Sequence, residues 1–361
     1  MKVILATGGT GGHIFPAVAL GQELERTGHD VLFVGSGRPL DRQVESSSGM
    51  RWKQLKVGRL KGMGFLNKCQ ALLMIPYACV QALIVLIAEK PDLVIGVGGS
   101  ASGPMVLMAR FVAIKTAILE SNSIPGLTNR LLSRFVNRIF IALPTIKYFD
   151  PRKRKVCFTG NPIRTEVIEQ FETAAKENNR FTLLVMGGSQ GAHFLNELML
   201  RLLPDLGDIA GSLRIIHVTG AADFNTIQAA YQAVPELEAV VQPFVNEIGL
   251  FYKQADLVLS RSGAATISDL IQFGLPAVLV PYPFAADQHQ VANANYLSQA
   301  GAAVVKLQQD LEPATFGRLL RDWIRNRAPL QQMAQNARAL APEAPAQRII
   351  EDCQQMVFGH V

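Results

Sequence analysis

His13 closes the stretch Gly8-Gly9-Thr10-Gly11-Gly12, just after the apolar run Val3 to Ala6 and before a helical pattern beginning near Phe15. A strand that ends in glycines and opens into a helix brings bare backbone N–H groups and a positive helix end up to an anionic ligand. Imidazole takes a proton near neutral pH, so the loop joins a phosphate-handling backbone to a candidate general base. The spacing is not that of a dinucleotide fingerprint: His13 stands where a packing glycine belongs, and no acidic residue closes the second strand. No G-x-x-x-x-G-K-[ST] run is present, which disfavours ATP-type phosphate cleavage. The bland alternative is a glycine turn used only for tight packing.

Further residues extend the chemistry. Gly98-Gly99-Ser100-Ala101-Ser102-Gly103-Pro104 forms a second glycine-rich turn, and Glu120-Ser121-Asn122 sits at the end of the next strand, where polar residues of open α/β sheets meet ligands. Glu120 is either the group that orients His13 or an ordinary helix-start acid. Gly160-Asn161-Pro162-Ile163-Arg164 places a guanidinium between the halves, suited to a forked grip on a diphosphate or to an interdomain salt bridge. In the second half, Ser189 and Gln190 lie in Gly187–Ala192, and Arg261-Ser262-Gly263-Ala264-Ala265-Thr266 opens a helix whose small residues let phosphate approach the backbone. Asp269 is placed for a ribose diol or for the helix dipole, and Asp287-Gln288-His289-Gln290 for sugar hydroxyls. The set reads as a nucleotide-diphosphate site in the second half and a base-bearing anionic site in the first, hence group transfer from an activated nucleotide. No metal and no cofactor are expected, because no carboxylate pair has chelating spacing. The leaving diphosphate would rest on helix dipoles, N–H groups and Arg164.

Strand-like runs alternating with helical patterns must hold these loops. They fall near Val3–Ala6, Val31–Val34, Leu93–Val97, Thr116–Leu119, Arg138–Ala142 and Val156–Thr159, then Phe181–Met186, Leu213–Val218, Ala239–Val241, Leu257–Leu259 and Ala277–Val280. With 361 residues, the expectation is α/β with two Rossmann-like domains facing across a cleft. Residues 1–162 form the acceptor or membrane side and 163–342 the donor side; a helix at about 343–361 is free to pack back on the first. The polar stretch Thr173 to Arg180 is the best linker candidate.

The net charge of +6 conceals an asymmetry: residues 1–160 carry 21 Lys/Arg against 9 Asp/Glu, leaving 14 against 20 for the remainder. A basic half faces an anionic membrane or a polyanionic substrate; with no zinc spacing and no aromatic–basic interleaving, nucleic acid is not an expected partner. Four scattered cysteines and a strand-like N-terminus without a signal-peptide pattern fit the cytoplasm. Ala71 to Ala88 is nearly long enough to span a bilayer, yet Pro76 and Gln81 interrupt it. The alternatives are a core helix, or a membrane-facing one preceded by Arg51, Lys53, Lys56, Arg59, Lys61 and Lys68.

Taken together, GGTGGH at 8–13, GGSASGP at 98–104, GLTN at 126–129, GNPIR at 160–164, GGSQGA at 187–192, RSGAATISD at 261–269 and HQVANA at 289–294 resemble the undecaprenyl-diphospho-muramoylpentapeptide N-acetylglucosaminyltransferases of peptidoglycan synthesis, the lipid II synthases. The resemblance runs nearly end to end. It implies a GT-B fold and inverting transfer from UDP-N-acetylglucosamine to lipid I at the cytoplasmic face of the cell membrane, where the protein is peripheral and meets other wall-synthesis and division proteins. It further implies donor contacts from Thr10, Gly11, Gly12, Asn122, Arg164, Ser189, Val245, Ala264, Ala265, Thr266, Ile267, Ser268, Asp269 and Gln290, with His13 as base for the acceptor's 4-hydroxyl. Four positions depart from the family pattern: Ser100 for tyrosine, Asp269 for glutamate, and Leu119 and Ser121 in Leu119-Glu120-Ser121-Asn122 for His-Glu-Gln-Asn. The rival readings are a related transferase with another lipid acceptor such as a diacylglycerol, a UDP-sugar epimerase on the same scaffold, and a noncatalytic UDP-sugar-binding protein.

Overall fold

The computed structural model describes residues 1–57, 65–144, 148–150, 152–177, 179–188 and 191–359, with backbone only at 47 and 65–73. The chain divides into two compact units, Met1–Arg164 with Pro342–Val361, and Thr165–Ala341.

In the first unit, β1 (Lys2–Ala6), β2 (Asp30–Gly35), β3 (Trp52–Gln54), β4 (Leu93–Gly96), β5 (Lys115–Glu120), β6 (Arg138–Ile141) and β7 (Val156–Phe158) pair in the order β3-β2-β1-β4-β5-β6-β7. Every pairing is parallel. The helices between them are α1 (Gly11–Arg26), α2 (Pro39–Ser48), α3 (Phe65–Glu89), α4 (Ser102–Phe111) and α5 (Leu127–Leu132). A parallel sheet is covered on both faces, so its strands are apolar throughout rather than alternating. The period of two still sorts the faces: Val3 and Leu5 join α1 residues Ile14 and Leu20 in one core, while Ile4 and Ala6 join Ala82 of α3 and Met105 of α4 in the other.

The second unit repeats the plan with α6 (Thr165–Thr173), β8 (Phe181–Met186), α7 (His193–Leu202), β9 (Leu213–Val218), α8 (Phe224–Gln232), β10 (Glu238–Gln242), α9 (Ile248–Gln254), β11 (Leu257–Ser260), α10 (Ala264–Phe273), β12 (Ala277–Leu279), α11 (His289–Gln299), β13 (Ala303–Val305), α12 (Pro313–Arg325) and α13 (Ala328–Ala339). Its strand order is β10-β9-β8-β11-β12-β13, again all parallel. The last helix, α14 (Pro345–Phe358), belongs to the first unit, where Ile349, Ile350 and Cys353 enter the core of the α1 face.

Two expectations need correction. Thr173–Arg180 is not a linker, because the unit boundary lies at 164/165 and the polar stretch is tied inside the second unit. Glu177 N–H donates to Gln254 Oε1 (2.8 Å), Gln254 Nε2 to the Ala175 carbonyl (2.6 Å), and Lys176 pairs with Asp256 (2.6 Å). The edge strands β3 and β13 were not expected: each has three residues, too short for a period to show. β3 is identified only by its pairing and by Trp52 stacking on Phe33 at 4.7 Å.

The helix over 71–88 is amphipathic in an unusual sense. Small residues Ala78 and Ala82 face inward with Leu86, while Ile75, Tyr77, Val80, Ile84 and Ile87 are exposed. Among the described residues no helix is long and apolar enough to cross a membrane. Of the basic residues before it, Arg59, Lys61 and the Lys68 side chain lie outside the described residues, while Arg51 and Lys53 are engaged with Glu89.

Candidate functional site

At the carboxyl end of the first sheet, the loops after β1 and β4 meet. Gly8 and Gly9 have φ of +146° and +100°, Gly98 and Gly99 of +105° and +85°, a region L side chains rarely enter. A Cβ on Gly99 would run into the Gly8 carbonyl, and one on Gly98 would lie 2.6 Å from His13 Nδ1. The second glycine turn is therefore the surface on which the His13 ring rests. His13 itself lies in the first turn of α1, its N–H donating to the Thr10 carbonyl (3.0 Å) and its carbonyl accepting from Thr7 Oγ1 (3.1 Å). Thr10 is the N-cap residue and gives no side-chain cap, and Thr10, Gly11 and Gly12 lead the helix with backbone rather than bulk.

One organiser of this loop was not anticipated. Asp41, buried in the first turn of α2, accepts from Gly9 N–H (3.1 Å), Ser36 N–H (2.9 Å), Ser36 Oγ (2.9 Å) and Arg38 N–H (3.2 Å). Its only sequence signal is an acid near a helix start, which occurs at many helices for the dipole alone.

Among the described residues no hydrogen bond joins Glu120 to His13. Its buried carboxylate accepts from Asn122 N–H (2.9 Å) and Nδ2 (3.2 Å) on one oxygen, and from Gly126 N–H (3.0 Å) and Asn129 Nδ2 (2.9 Å) on the other. Four donors converge on an acceptor-only group, so Glu120 builds the 121–129 loop and through it sets Asn122. Ser121 Oγ donates to Asn161 Oδ1 (3.1 Å), which joins this loop to the 160–164 segment. Arg164 lies over the Phe15 ring of α1, its guanidinium carbon 4.7 Å from the centroid. Cation–π contact takes the place of the salt bridge considered from sequence; among the described residues Arg164 has no ion pair.

In the second unit the corresponding edge carries the loops after β8, β11 and β12. Gly191 has φ of +76° and packs on the Thr219 carbonyl so closely that a Cβ would collide with it. Ser189 and Gln190 lie outside the described residues. Gly263 caps α10 in extended backbone, so Ala264, Ala265 and Thr266 form its first turn. Ser268 Oγ returns to the Ala264 carbonyl (2.9 Å), Ile267 is buried, and half-buried Asp269 accepts from Tyr252 OH (2.9 Å), which fixes one of its oxygens. Gln290 joins two segments: its Oε1 accepts from Tyr282 N–H (2.8 Å) and its carbonyl from Ser262 Oγ (2.8 Å). Just before it, Asp287 and Gln288 hold φ of +52° and +54°, strained for residues with a Cβ. Val245 is half-buried in the loop between β10 and α9.

A buried polar chain backs this edge. Asn196 Nδ2 donates to the Thr219 carbonyl (2.9 Å) and to Asp223 (2.7 Å), which turns its Oδ1 towards His217 Nε2 (2.9 Å). That imidazole therefore carries its proton on Nε2 and accepts from Tyr231 OH (3.1 Å) on Nδ1. Burial pulls the His217 pKa down to about 3, so the ring is neutral. Among the described residues no group of three or more His, Cys, Asp or Glu side chains is placed to hold a metal ion.

Residues 3–141 match the glycosyltransferase family 28 N-terminal domain and 182–351 the C-terminal domain of that family. A Syntrophus aciditrophicus protein described as UDP-N-acetylglucosamine–N-acetylmuramyl-(pentapeptide) pyrophosphoryl-undecaprenol N-acetylglucosamine transferase is 41% identical over 99% of both chains. The crystal structure of MurG from Acinetobacter baumannii superposes with a TM-score of 0.79 at 30% identity, covering 99% of this chain and 100% of that one. A UDP-N-acetylglucosamine 2-epimerase superposes at 0.67 with 13% identity, a likeness of fold alone. With both domain models matched in order and relatives aligned over the full length, the chain belongs to glycosyltransferase family 28.

Proposed function

We propose that this protein transfers N-acetylglucosamine from UDP-N-acetylglucosamine to the 4-hydroxyl of lipid I, N-acetylmuramoyl-pentapeptide diphospho-undecaprenol, giving lipid II with inversion at the anomeric carbon. The observation that carries the reading is His13 seated on Gly98 where two glycine turns meet, in a chain 41% identical to a relative of that name. His13 takes the hydroxyl proton as the acceptor oxygen bonds to the anomeric carbon, and the bond from that carbon to the UDP oxygen breaks. In the second unit, backbone N–H groups at the start of α10 stabilise the leaving diphosphate, Asp269, held by Tyr252, accepts from the ribose, and Val245 and Gln290 add donor contacts; in the first unit, the start of α1, Asn122 and Arg164 are the donor contacts that the family resemblance implies. The first unit thus supplies the base and the second most of the donor grip.

The acceptor carries a lipid, which accords with the apolar face of the first unit. Ile75, Val80, Ile84 and Ile87 of α3, Leu107 and Phe111 of α4, and Leu127 and Leu131 of α5 are exposed, and α4 packs against both neighbours. Apolar surface of this kind in a basic unit fits peripheral attachment to the cytoplasmic leaflet.

The deciding experiment is transfer of radiolabelled N-acetylglucosamine from the UDP donor to a lipid I analogue, beside a diacylglycerol acceptor and a no-acceptor control. Labelled lipid product with the lipid I analogue alone is expected. Product only with diacylglycerol moves the assignment to another lipid acceptor. Donor conversion without acceptor identifies an epimerase, and binding without turnover a noncatalytic role.

A further inference from the structure

Arg261, between β11 and α10, is 9% exposed, yet its hydrogen-bond partners are all neutral. Nη1 donates to the carbonyls of Val280 (3.1 Å) and Pro281 (3.3 Å), and Nη2 to Gln308 Oε1 (3.1 Å). The rings of Phe194 and Tyr282 lie 5.8 and 5.5 Å from the guanidinium carbon. Among the described residues no carboxylate pairs with it. Burial works against the charged form and holds the pKa below that of an ordinary arginine, but a guanidinium remains a cation in any aqueous protein. Carbonyl dipoles and aromatic faces lower the cost of burying that charge without cancelling it.

Its position gives the charge a use. Phe194 is in the first turn of α7, directly beyond the Gly187–Ala192 loop. Ser262 and Gly263, which follow Arg261, lead into α10. Val280 and Pro281 precede Tyr282, whose N–H donates to Gln290. One cation therefore contacts the start of α7, the entry to α10 and the loop after β12, the three segments at the sheet edge where the donor reading places the nucleotide.

We infer that Arg261 is the built-in counter-charge of the donor's diphosphate: a positioning residue that fixes these three segments and attracts the diphosphate through the interior. This rests on the donor assignment made above for the second unit. A buried charge is screened far less than a surface one, so its pull extends beyond hydrogen-bond reach and grows as UDP departs with more negative charge. A residue that merely holds loops would support uridine and UDP alike; a counter-charge favours UDP.

The test uses the full chain as wild type, Arg261→Met and Arg261→Lys, with the affinities for UDP and for uridine measured by calorimetry and folding checked by circular dichroism. Wild type is expected to bind UDP well above uridine. Arg261→Met should weaken UDP by about tenfold or more while uridine changes less than about twofold, and Arg261→Lys should keep most of the preference. If the Met variant does not fold, Arg261→Gln, which retains a donor for the carbonyls, is read by the same ratio. Equal losses for both ligands, or no loss, overturn the inference while leaving the donor assignment intact. A wild-type protein that shows no affinity for UDP overturns the donor assignment itself.

Discussion

His13 and Glu120 show how differently two neighbours in a functional reading can be used. His13 is half-buried against Gly98, where a Cβ would displace it, and this is the kind of constraint that keeps a side chain in one rotamer. Replacing it with alanine is expected to lower kcat by about 10²–10⁴-fold with little change in donor KM, checked by steady-state assay; near-normal turnover removes His13 from the role of base. Glu120 instead frames the 121–129 loop through four accepted hydrogen bonds. Changing it to glutamine points an amide NH2 at two N–H donors, whichever way the amide is turned. The expected destabilisation is about 1–3 kcal/mol, read from urea unfolding, with most of any activity loss following from the disordering of Asn122. An unchanged midpoint would mean the four hydrogen bonds are weak in solution.

Among the elements, the N-terminal ends of the first sheet are held by charge. Glu89, at the end of α3, meets Lys53 of β3 (2.5 Å), Lys2 of β1 (2.9 Å) and Arg51 (3.2 Å), and hydrogen bonds from Lys53 and then Lys2 hold its carboxyl at about 2. The folded-state value lies below the unfolded one, so the stabilisation is complete above the usual carboxylate range and is lost as pH falls towards about 2. Thermal melts of wild type and Glu89→Gln should differ most above pH 5 and converge in acid; a constant gap would show that the contribution is packing. The helix α14 makes a different kind of join. Arg138 of β6 pairs with Asp352 (2.6 Å), and Gln347 Nε2 reaches Glu23 of α1 (2.9 Å), so residues more than two hundred positions apart complete one unit.

At the scale of the molecule, charge and apolar surface are both uneven. The basic excess lies in residues 1–160, and the same unit exposes the large apolar side chains of α3, α4 and α5. Binding to vesicles containing anionic lipid should weaken with added salt and fall about tenfold or more in the double variant Val80→Asp, Ile84→Asp, since each buried CH2 contributes about 0.8 kcal/mol. Sedimentation with vesicles checks this, and unaltered binding by the double variant would place the contact elsewhere.

Much of this was legible in residue order, because the devices concerned are local. Glycines after an apolar run, small residues at a helix start and a 361-residue alternation of strand and helix signals act within a few positions, which is why both glycine loops and nearly all the long strands could be read directly. What escaped depends on partners distant along the chain. Asp41 finds Gly9, Glu120 turns to Gly126 and Asn129 rather than to His13, β3 and β13 exist by pairing, and Arg261 is a buried cation only because Val280, Pro281 and Gln308 converge on it. Sequence by itself determined the kind of fold, the glycine-rich loops at the carboxyl ends of the strands and the family. Tertiary structure decided which polar groups are consumed in holding the loops, because a buried donor or acceptor must be satisfied by whichever group the fold brings within about 3 Å.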